Sequence, residues 1–169
     1  MIYVTGDIHG NLTRFNSIME QIKLRPADTL NVLGDVIDRF PYGIQILRKL
    51  MGMSNVKIIL GNHEYMMLNA VGKPGEPKTQ DENATDLWYQ NGGKVTHDAL
   101  KRLRIATRKE IFQYLRALPL NIDLTVNGVD YKLVHGAPVG EFTHYLWEYD
   151  DQEQFILVSL SRPQAKKLS

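Results

Sequence analysis

Three short polar motifs carry most of the side chains in this sequence that can do chemistry. They are Gly-Asp-Ile-His-Gly at 6–10, Gly-Asp-Val-Ile-Asp-Arg at 34–39 and Gly-Asn-His-Glu at 61–64. Carboxylates, imidazoles and an amide, without thiolates, favour divalent Mn, Fe or Zn over soft Cu(I). The chain contains no cysteine, so a metal would be bound through oxygen and nitrogen alone.

The spacing of these residues predicts two neighbouring metal ions. Asp7 and His9 lie two residues apart in a Gly-flanked loop and are expected to reach one ion, while Asp35 is the candidate bridge. Asn62 would be a neutral oxygen ligand, and His135 the imidazole ligand of the second ion. Two ions about 3.5–4 Å apart can acidify a shared water and neutralise phosphoryl oxygens, which suits the hydrolysis of phosphate esters.

The remaining motif residues predict proton transfer and phosphate recognition. His63 follows Asn62 directly and is expected to protonate the leaving alkoxide as a general acid. Asp38 can fix the tautomer of the His63 imidazole and raise its basicity. Arg39 offers a two-pronged cation for phosphate oxygens, and Asn62 is a second candidate for that contact. The alternatives are a surface salt bridge made by Asp38 and Arg39, and an ordinary strand-end histidine at 135.

The elements around the motifs would bring these side chains together. Each motif follows a short apolar run, and a helical pattern comes next, which predicts an α/β fold with a largely parallel sheet. In such sheets, ligand-binding groups gather beyond the carboxyl ends of the strands. The three motifs are therefore expected to meet at one edge of the sheet. The apolar runs occupy residues 2–5, 30–33 and 56–60.

Capping and turn signals predict the other elements. Asn11 is expected to cap the first helix, and the Thr107 to Glu110 capping-box pattern to open a later one. Asn127-Gly128 is a strong hairpin signal between two strands. Residues 72–83 contain Gly, Pro and charge but no apolar side chain, which predicts an exposed loop. The remaining helices are expected at 84–90 and 95–103, and the hairpin strands at 120–126 and 129–134.

The bulk composition is that of a globular protein. The 169 residues are 43% apolar and 23% charged with a formal net charge of +1, so neither a nucleic-acid nor a membrane partner is expected from charge. No stretch of eighteen apolar residues could span a bilayer, which makes the cytoplasm the expected location. The predicted organisation is a core domain over 1–151 followed by an atypical tail over 152–169.

These segments resemble the phosphoprotein phosphatase family, the metal-dependent serine/threonine phosphatases among the calcineurin-like metallophosphoesterases. The small bacterial and phage members are the most similar. The discriminating piece is Arg39 after the second aspartate, because more distant metallophosphoesterases usually lack that arginine. Further segments that resemble the bacterial members are Trp-Tyr-Gln-Asn-Gly-Gly at 88–93, Leu-Val-His-Gly at 133–136 and Leu-Trp at 146–147.

The resemblance implies a four-layer α/β/β/α sandwich and a two-metal phosphomonoester hydrolase acting on phosphoserine or phosphothreonine in proteins. It implies two divalent ions, Mn²⁺ first with Fe or Zn as alternatives, and a metal-bridging hydroxide as the nucleophile. The same roles follow from the family's pattern. The metal ligands are Asp7, His9, Asp35, Asn62 and His135, with His63 as the acid, Asp38 as its partner and Arg39 on phosphate.

The sequence also departs from the family's pattern. The family supplies one more histidine from a Gly-His-Thr stretch, which this sequence lacks, and its C-terminal strands have no counterpart here. Glu148 or Tyr149 stands where many bacterial members carry a phosphate-binding arginine. His144 is a candidate substitute ligand, whereas His97 and Trp88 are expected to have structural roles.

Two alternatives to the phosphatase prediction follow. One is symmetrical hydrolysis of dinucleoside tetraphosphates on the same core, and the other is a catalytically impaired remnant with an incomplete second metal site. A shortened sheet would also expose an edge. That edge is expected to be covered by a replacement strand within 155–160 or by self-association with a second chain.

Overall fold

Strands and helices alternate through the first half of the chain in the computed structural model, which describes residues 1–72, 82–138, 147–149 and 155–157. The three strands are parallel in the order β1-β2-β3. Ile2 lies beside Thr29 and Leu30 beside Val56, so their carboxyl ends share one edge. The predicted α/β class is confirmed. The elements are β1 (Ile2–Thr5), α1 (Leu12–Ile22), β2 (Thr29–Val32), α2 (Gly43–Met51), β3 (Val56–Ile58) and α3 (Asn62–Val71).

Three further helices and a hairpin follow. The hairpin turn has Asn127 at φ 52° and Gly128 at φ 79°, as a two-residue turn between antiparallel strands requires. The N-cap of α1 is Asn11, whose side chain accepts a hydrogen bond from the Arg14 N–H at 3.0 Å. Both predictions are confirmed. The later elements are α4 (Glu82–Gln90), α5 (Lys94–Lys101), α6 (Ile105–Arg116), β4 (Asn121–Val126) and β5 (Val129–Val134).

Two local predictions were wrong. The capping box at Thr107 and Glu110 does not start a helix, because α6 already begins at Ile105. Arg104 is its extended N-cap, and its carbonyl accepts the Arg108 N–H at 3.1 Å, so Thr107 is helical and cannot act as a cap. The predicted loop over 72–83 is too long, since its last two residues belong to α4. Residues 73–81 lie outside the described part of the chain.

A small separate sheet contains the last strands. It comprises β6 (Ala137–Pro138), β7 (Trp147–Tyr149) and β8 (Phe155–Leu157), with β7 parallel to β6 and antiparallel to β8. The strand expected within 155–160 is therefore present, paired with β7. The four-layer sandwich and the domain boundary after residue 151 stay predictions.

The core lies between the parallel sheet and its helices. Val32 from β2 and Leu47 from α2 are fully buried there, and each such side chain contributes about 1.5–3 kcal/mol of stability. By contrast, Ile2 and Val4 on β1 are 48% and 49% exposed, and β2 is the only neighbour of β1 among the described residues. Self-association through an exposed sheet edge stays a prediction. No described helix is both long and apolar enough to span a membrane.

Candidate metal centre

The loops that carry the predicted site adopt an unusual backbone conformation. Among the described residues, seven non-glycine residues have positive φ, and five of them belong to the first two motifs. Left-handed backbone costs an L-residue about 1–2 kcal/mol, so surrounding contacts must hold these loops in place. The His9 N–H donates to the Asp35 carbonyl at 2.9 Å, which ties the two loops together. The five are Asp7, His9, Asp35, Asp38 and Arg39.

The second and third motifs meet backbone to backbone. Gly34 has φ 75°, and a Cβ there would lie 2.5 Å from the Gly61 Cα. Only glycine satisfies both constraints, because any side chain would push the two loops apart. This close approach places Asp35 beside the start of α3, where the His63 N–H donates to Asp35 Oδ1 at 3.1 Å.

Glu64 fastens these two loops from within the core, with its side chain fully buried. Its Oε2 accepts the backbone N–H groups of Asp35 at 2.9 Å and Gly61 at 3.2 Å. Its Oε1 accepts those of Val36 at 2.9 Å and Ile37 at 3.2 Å. Burial and the Asp35 carboxylate raise the pKa of Glu64 to about 7, against the opposing effect of the backbone donors.

Asp35 stands at the centre of the cluster, as predicted for a bridging carboxylate. Its Oδ2 lies 3.6 Å from His9 Nε2, and its Oδ1 lies 3.5 Å from His135 Nε2. Candidate ligand atoms of His9, Asp35 and His63 lie within 4.8 Å of one another, as do those of Asp7, Asp35 and His135. Asp35 is thus the residue shared by two potential metal-binding groups.

The two outer imidazoles are oriented in the same way. His9 Nδ1 lies 3.1 Å from the Ile37 carbonyl, and His135 Nδ1 lies 2.7 Å from the Leu33 carbonyl. A carbonyl can only accept, so each Nδ1 carries a proton, and each ring directs its Nε2 at Asp35. Burial lowers the pKa of His9 despite the nearby Asp35 charge, which favours the neutral, metal-binding form.

The Asn62 amide completes a set of converging acceptors. Its inward atom is placed as the oxygen, 2.7 Å from His135 Nε2 and 3.2 Å from both Asp35 oxygens. Turned the other way, the amide would donate its NH₂ to Asp35 and to His135 Nε2. The donor set therefore fits a divalent cation bound by carboxylate, imidazole and amide groups.

His63 and Asp38 form a buried pair beside this cluster, with side chains 1% and 0% exposed. His63 Nδ1 donates to Asp38 Oδ2 at 2.8 Å, while His63 Nε2 lies 3.9 Å from Asp35 Oδ2. Burial lowers the pKa of His63, but the Asp38 hydrogen bond and the Asp35 charge outweigh it and raise the pKa above its usual value. The exposed Arg39 places Nη2 at 3.3 Å from His63 Nε2.

The structure brings eight predicted site residues into one region, namely Asp7, His9, Asp35, Asp38, Arg39, Asn62, His63 and His135. Asp38 is fully buried on His63, so the alternative of a surface salt bridge with Arg39 was wrong. His135 lies in the cluster, unlike an ordinary strand-end histidine. His97 is on α5, where its Nδ1 lies 2.6 Å from a tyrosine hydroxyl, away from the cluster. The substitute-ligand prediction for His144 falls outside the described residues.

Sequence reasoning missed three contributors to the site. Glu64 was left without a role, although a glutamate three residues into a helix after a buried strand is a plausible backbone acceptor. Trp88 is fully buried as expected, but its indole N–H donates to Asp38 Oδ2 at 2.8 Å. Thr96 accepts the Asp38 backbone N–H at 3.0 Å. The sequence could have pointed to this contact of Trp88, because the N–H of a buried indole usually has a hydrogen-bond acceptor.

A parallel sheet with buried imidazole and carboxylate groups at its strand ends suits metal-assisted hydrolysis of phosphate esters. A profile of the calcineurin-like phosphoesterase family matches residues 1–162. The chain belongs to that family, and its buried His and Asp side chains are candidates for metal ligands. Among solved structures, a hypothetical protein from Pyrococcus horikoshii has a TM-score of 0.52 and 25% identity, covering 84% of this chain and 57% of that one.

Its curated relatives divide between two activities. Serine/threonine-protein phosphatase 2 of Escherichia coli is 30% identical over 167 residues, which cover 96% of this chain and 69% of that protein. The symmetrical bis(5'-nucleosyl)-tetraphosphatase of Erwinia tasmaniensis is 35% identical over 81 residues, covering 47% of this chain. This match spans only 30% of the Erwinia protein.

Proposed function

We propose that this chain hydrolyses phosphomonoesters, with phosphoserine and phosphothreonine in proteins as its leading substrates. The observation that carries the proposal is the buried His63–Asp38 pair, whose Nε2 lies 3.9 Å from Asp35 in the centre of the acceptor cluster. A positioned proton donor next to a cation site is what cleavage of a P–O bond to an alkoxide leaving group needs. The match to the E. coli phosphatase over 96% of the chain supports the choice of substrate.

The proposed division of labour follows the geometry. Two divalent cations, Mn²⁺ first with Fe or Zn as alternatives, would supply an activated water and neutralise the phosphoryl oxygens. Asp35 would bridge them, since its two oxygens face different imidazoles. The remaining ligands would be Asp7, His9, Asn62 and His135.

The other residues would bind phosphate and transfer the proton. Arg39 is exposed and adjacent to His63 Nε2, so its guanidinium can take two phosphoryl oxygens as the ester enters. Asn62 offers a second polar contact. His63 would then deliver its Nε2 proton to the leaving oxygen, and Asp38 would stabilise the imidazolium through Nδ1–H.

The proposed partners are phosphorylated proteins or small phosphoesters in the cytoplasm. A net charge of +1 gives no reason to propose a nucleic-acid or membrane partner.

Symmetrical cleavage of dinucleoside tetraphosphates is the second candidate, and the Erwinia relative favours it over 47% of the chain. One preparation should therefore be offered a phosphoserine peptide, p-nitrophenyl phosphate and diadenosine tetraphosphate across Mn²⁺ concentrations. We expect the highest kcat/KM on the phosphopeptide, and a His63→Gln variant to lose about 10²–10⁴-fold on that substrate. A preference for the dinucleotide would replace the leading substrate.

The same titration decides whether the chain is a catalytically impaired remnant. Metal bound per chain is measured beside turnover. No turnover at millimolar Mn²⁺, with at most one ion per chain, would favour the remnant.

A further inference from the structure

We propose that Trp88 is a positioning residue for proton transfer: its indole N–H fixes the Asp38 carboxylate that orients His63. The inference rests on the proposed function and adds a residue that stands outside the three motifs. Its basis is a continuous buried chain of two hydrogen bonds, Trp88 Nε1 to Asp38 Oδ2 at 2.8 Å and His63 Nδ1 to the same oxygen at 2.8 Å.

Because both hydrogen bonds are buried, the loss of either one would leave the Asp38 carboxylate poorly held. Trp88 and Asp38 are fully buried and His63 is 1% exposed, so water does not readily replace a lost donor. Asp38 Oδ1 has no hydrogen-bond partner among the described residues, which leaves Oδ2 as the oxygen on which both donors converge. Without the indole N–H, His63 would be the only side-chain donor holding this buried carboxylate. The carboxylate could then turn about its terminal torsion, which has a broad minimum.

The backbone around the indole is shaped to hold it there. Gly93 lies against the ring, and a Cβ at this position would fall 2.3 Å from Trp88 Nε1. The preceding Gly92 accepts the Arg39 N–H at 3.2 Å, and Thr96 accepts the Asp38 N–H at 3.0 Å. Residues of α4, of α5 and of the turn between them thus contact both the side chain of Asp38 and the backbone of its loop.

This arrangement predicts a defect that a purely structural tryptophan would not produce. A misdirected general acid slows reactions in proportion to how much protonation the leaving group needs. Phenolate is a poor leaving group and p-nitrophenolate a good one, so the two phosphates separate proton transfer from binding and folding. General loss of packing would instead lower turnover of both substrates by the same factor.

The test compares Trp88→Phe with the wild-type chain on phenyl phosphate and p-nitrophenyl phosphate at saturating Mn²⁺. We expect kcat to fall about tenfold on phenyl phosphate and by less than about twofold on p-nitrophenyl phosphate, in line with the effect of residues that orient active groups. Phe112→Leu, a substitution at a buried α6 position, serves as the packing control. It is expected to change both rates equally. An equal loss on both substrates in Trp88→Phe would overturn the positioning role.

Gly93→Ala provides a second variant if Trp88→Phe folds poorly, because its Cβ would displace the indole while leaving the indole N–H in the chain. The same substrate dependence is expected, and its absence would count against the proposal. In the Asp38→Asn background, neither substitution should add a further leaving-group effect, since both act through Asp38. A further leaving-group effect in that background would mean that Trp88 does not act through Asp38, which would overturn the proposal.

A readout without turnover separates this inference from the proposed function. In metal-free protein with ¹⁵N-labelled histidine, Trp88→Phe should shift the His63 ring resonances and Phe112→Leu should leave them in place. A wild-type chain that hydrolyses neither phosphate would overturn the proposed function, and the His63 resonances would then decide the positioning role alone. Unshifted His63 signals in Trp88→Phe would overturn it whatever the wild-type activity.

Discussion

The two sides of the candidate metal centre are held in different ways. On the first side, Asp35 and Asn62 are 4% and 2% exposed, and Glu64 fixes their loops through four backbone N–H groups. On the second side, His135 follows a hairpin whose Tyr131 is 50% exposed. Its ring is held by the Leu33 carbonyl and by contact with Asn62.

The first side is therefore held in position by the fold itself, whereas the fold brings His135 to the second side with few supporting contacts. On the first side, the buried hydrogen bonds to Glu64 offset the cost of the strained left-handed backbone. The geometry of that side should therefore persist without a cation. The second side depends on one imidazole from a weakly covered element, so cation binding itself should contribute to its order.

The largest effect is expected from Glu64→Ala. It leaves four buried backbone N–H groups without their acceptor, at about 1–3 kcal/mol for each unsatisfied group that water does not reach. We expect the free energy of unfolding to fall by at least about 3 kcal/mol, measured by urea denaturation of the metal-free protein.

Lys132→Ala is the matched substitution on the hairpin. The ion pair that it removes joins Lys132 Nζ to Asp123 at 3.5 Å between side chains 47% and 70% exposed. Such pairs contribute about 0–1 kcal/mol. A Glu64→Ala protein as stable as Lys132→Ala would break the contrast between the two sides.

A smaller effect, on metal binding, is expected from replacing one imidazole on each side. His135→Ala should weaken binding of one of two Mn²⁺ ions by at least about 10–100-fold, the loss typical for a mere outer partner of a ligand. The other ion should stay near its wild-type affinity, measured by calorimetric titration. His9→Ala should weaken the other ion instead. If both variants lose both ions together, the centre behaves as one cooperative unit and the two sides are not separable.

The positions of the motif residues were predictable because one physical rule governs them. Parallel strands place their carboxyl ends at one edge, so Asp7, Asp35 and Asn62 had to converge once the strand–loop–helix order was recognised. The His63–Asp38 pairing followed from the chemistry of a buried acid. Asn62 faces Asp35 and His135 because the loops that carry these three residues lie close together.

The supporting residues could not be found in the same way. Trp88 and Thr96 lie 50 and 58 residues from Asp38, and no local periodicity encodes which helix turn packs on which loop. Glu64 sits within a recognised motif, but its four partners are backbone groups, which carry no sequence signal. The capping box failed because α6 begins two residues earlier, with Arg104 as its extended N-cap, so Thr107 lies inside the first turn.

The smallest effect concerns the acid pair that lies on the first side. Asp38→Asn keeps the shape of the side chain and removes the charge that, with the hydrogen bond, raises the pKa of His63. His63 acts while protonated, so a lower pKa should move the alkaline limb of the kcat profile on phenyl phosphate to lower pH. Asp98→Asn, which alters an exposed ion pair to Lys94 on α5, should leave that limb unchanged. A limb that stays in place or moves to higher pH in Asp38→Asn would mean that Asp38 orients the imidazole without setting its proton affinity.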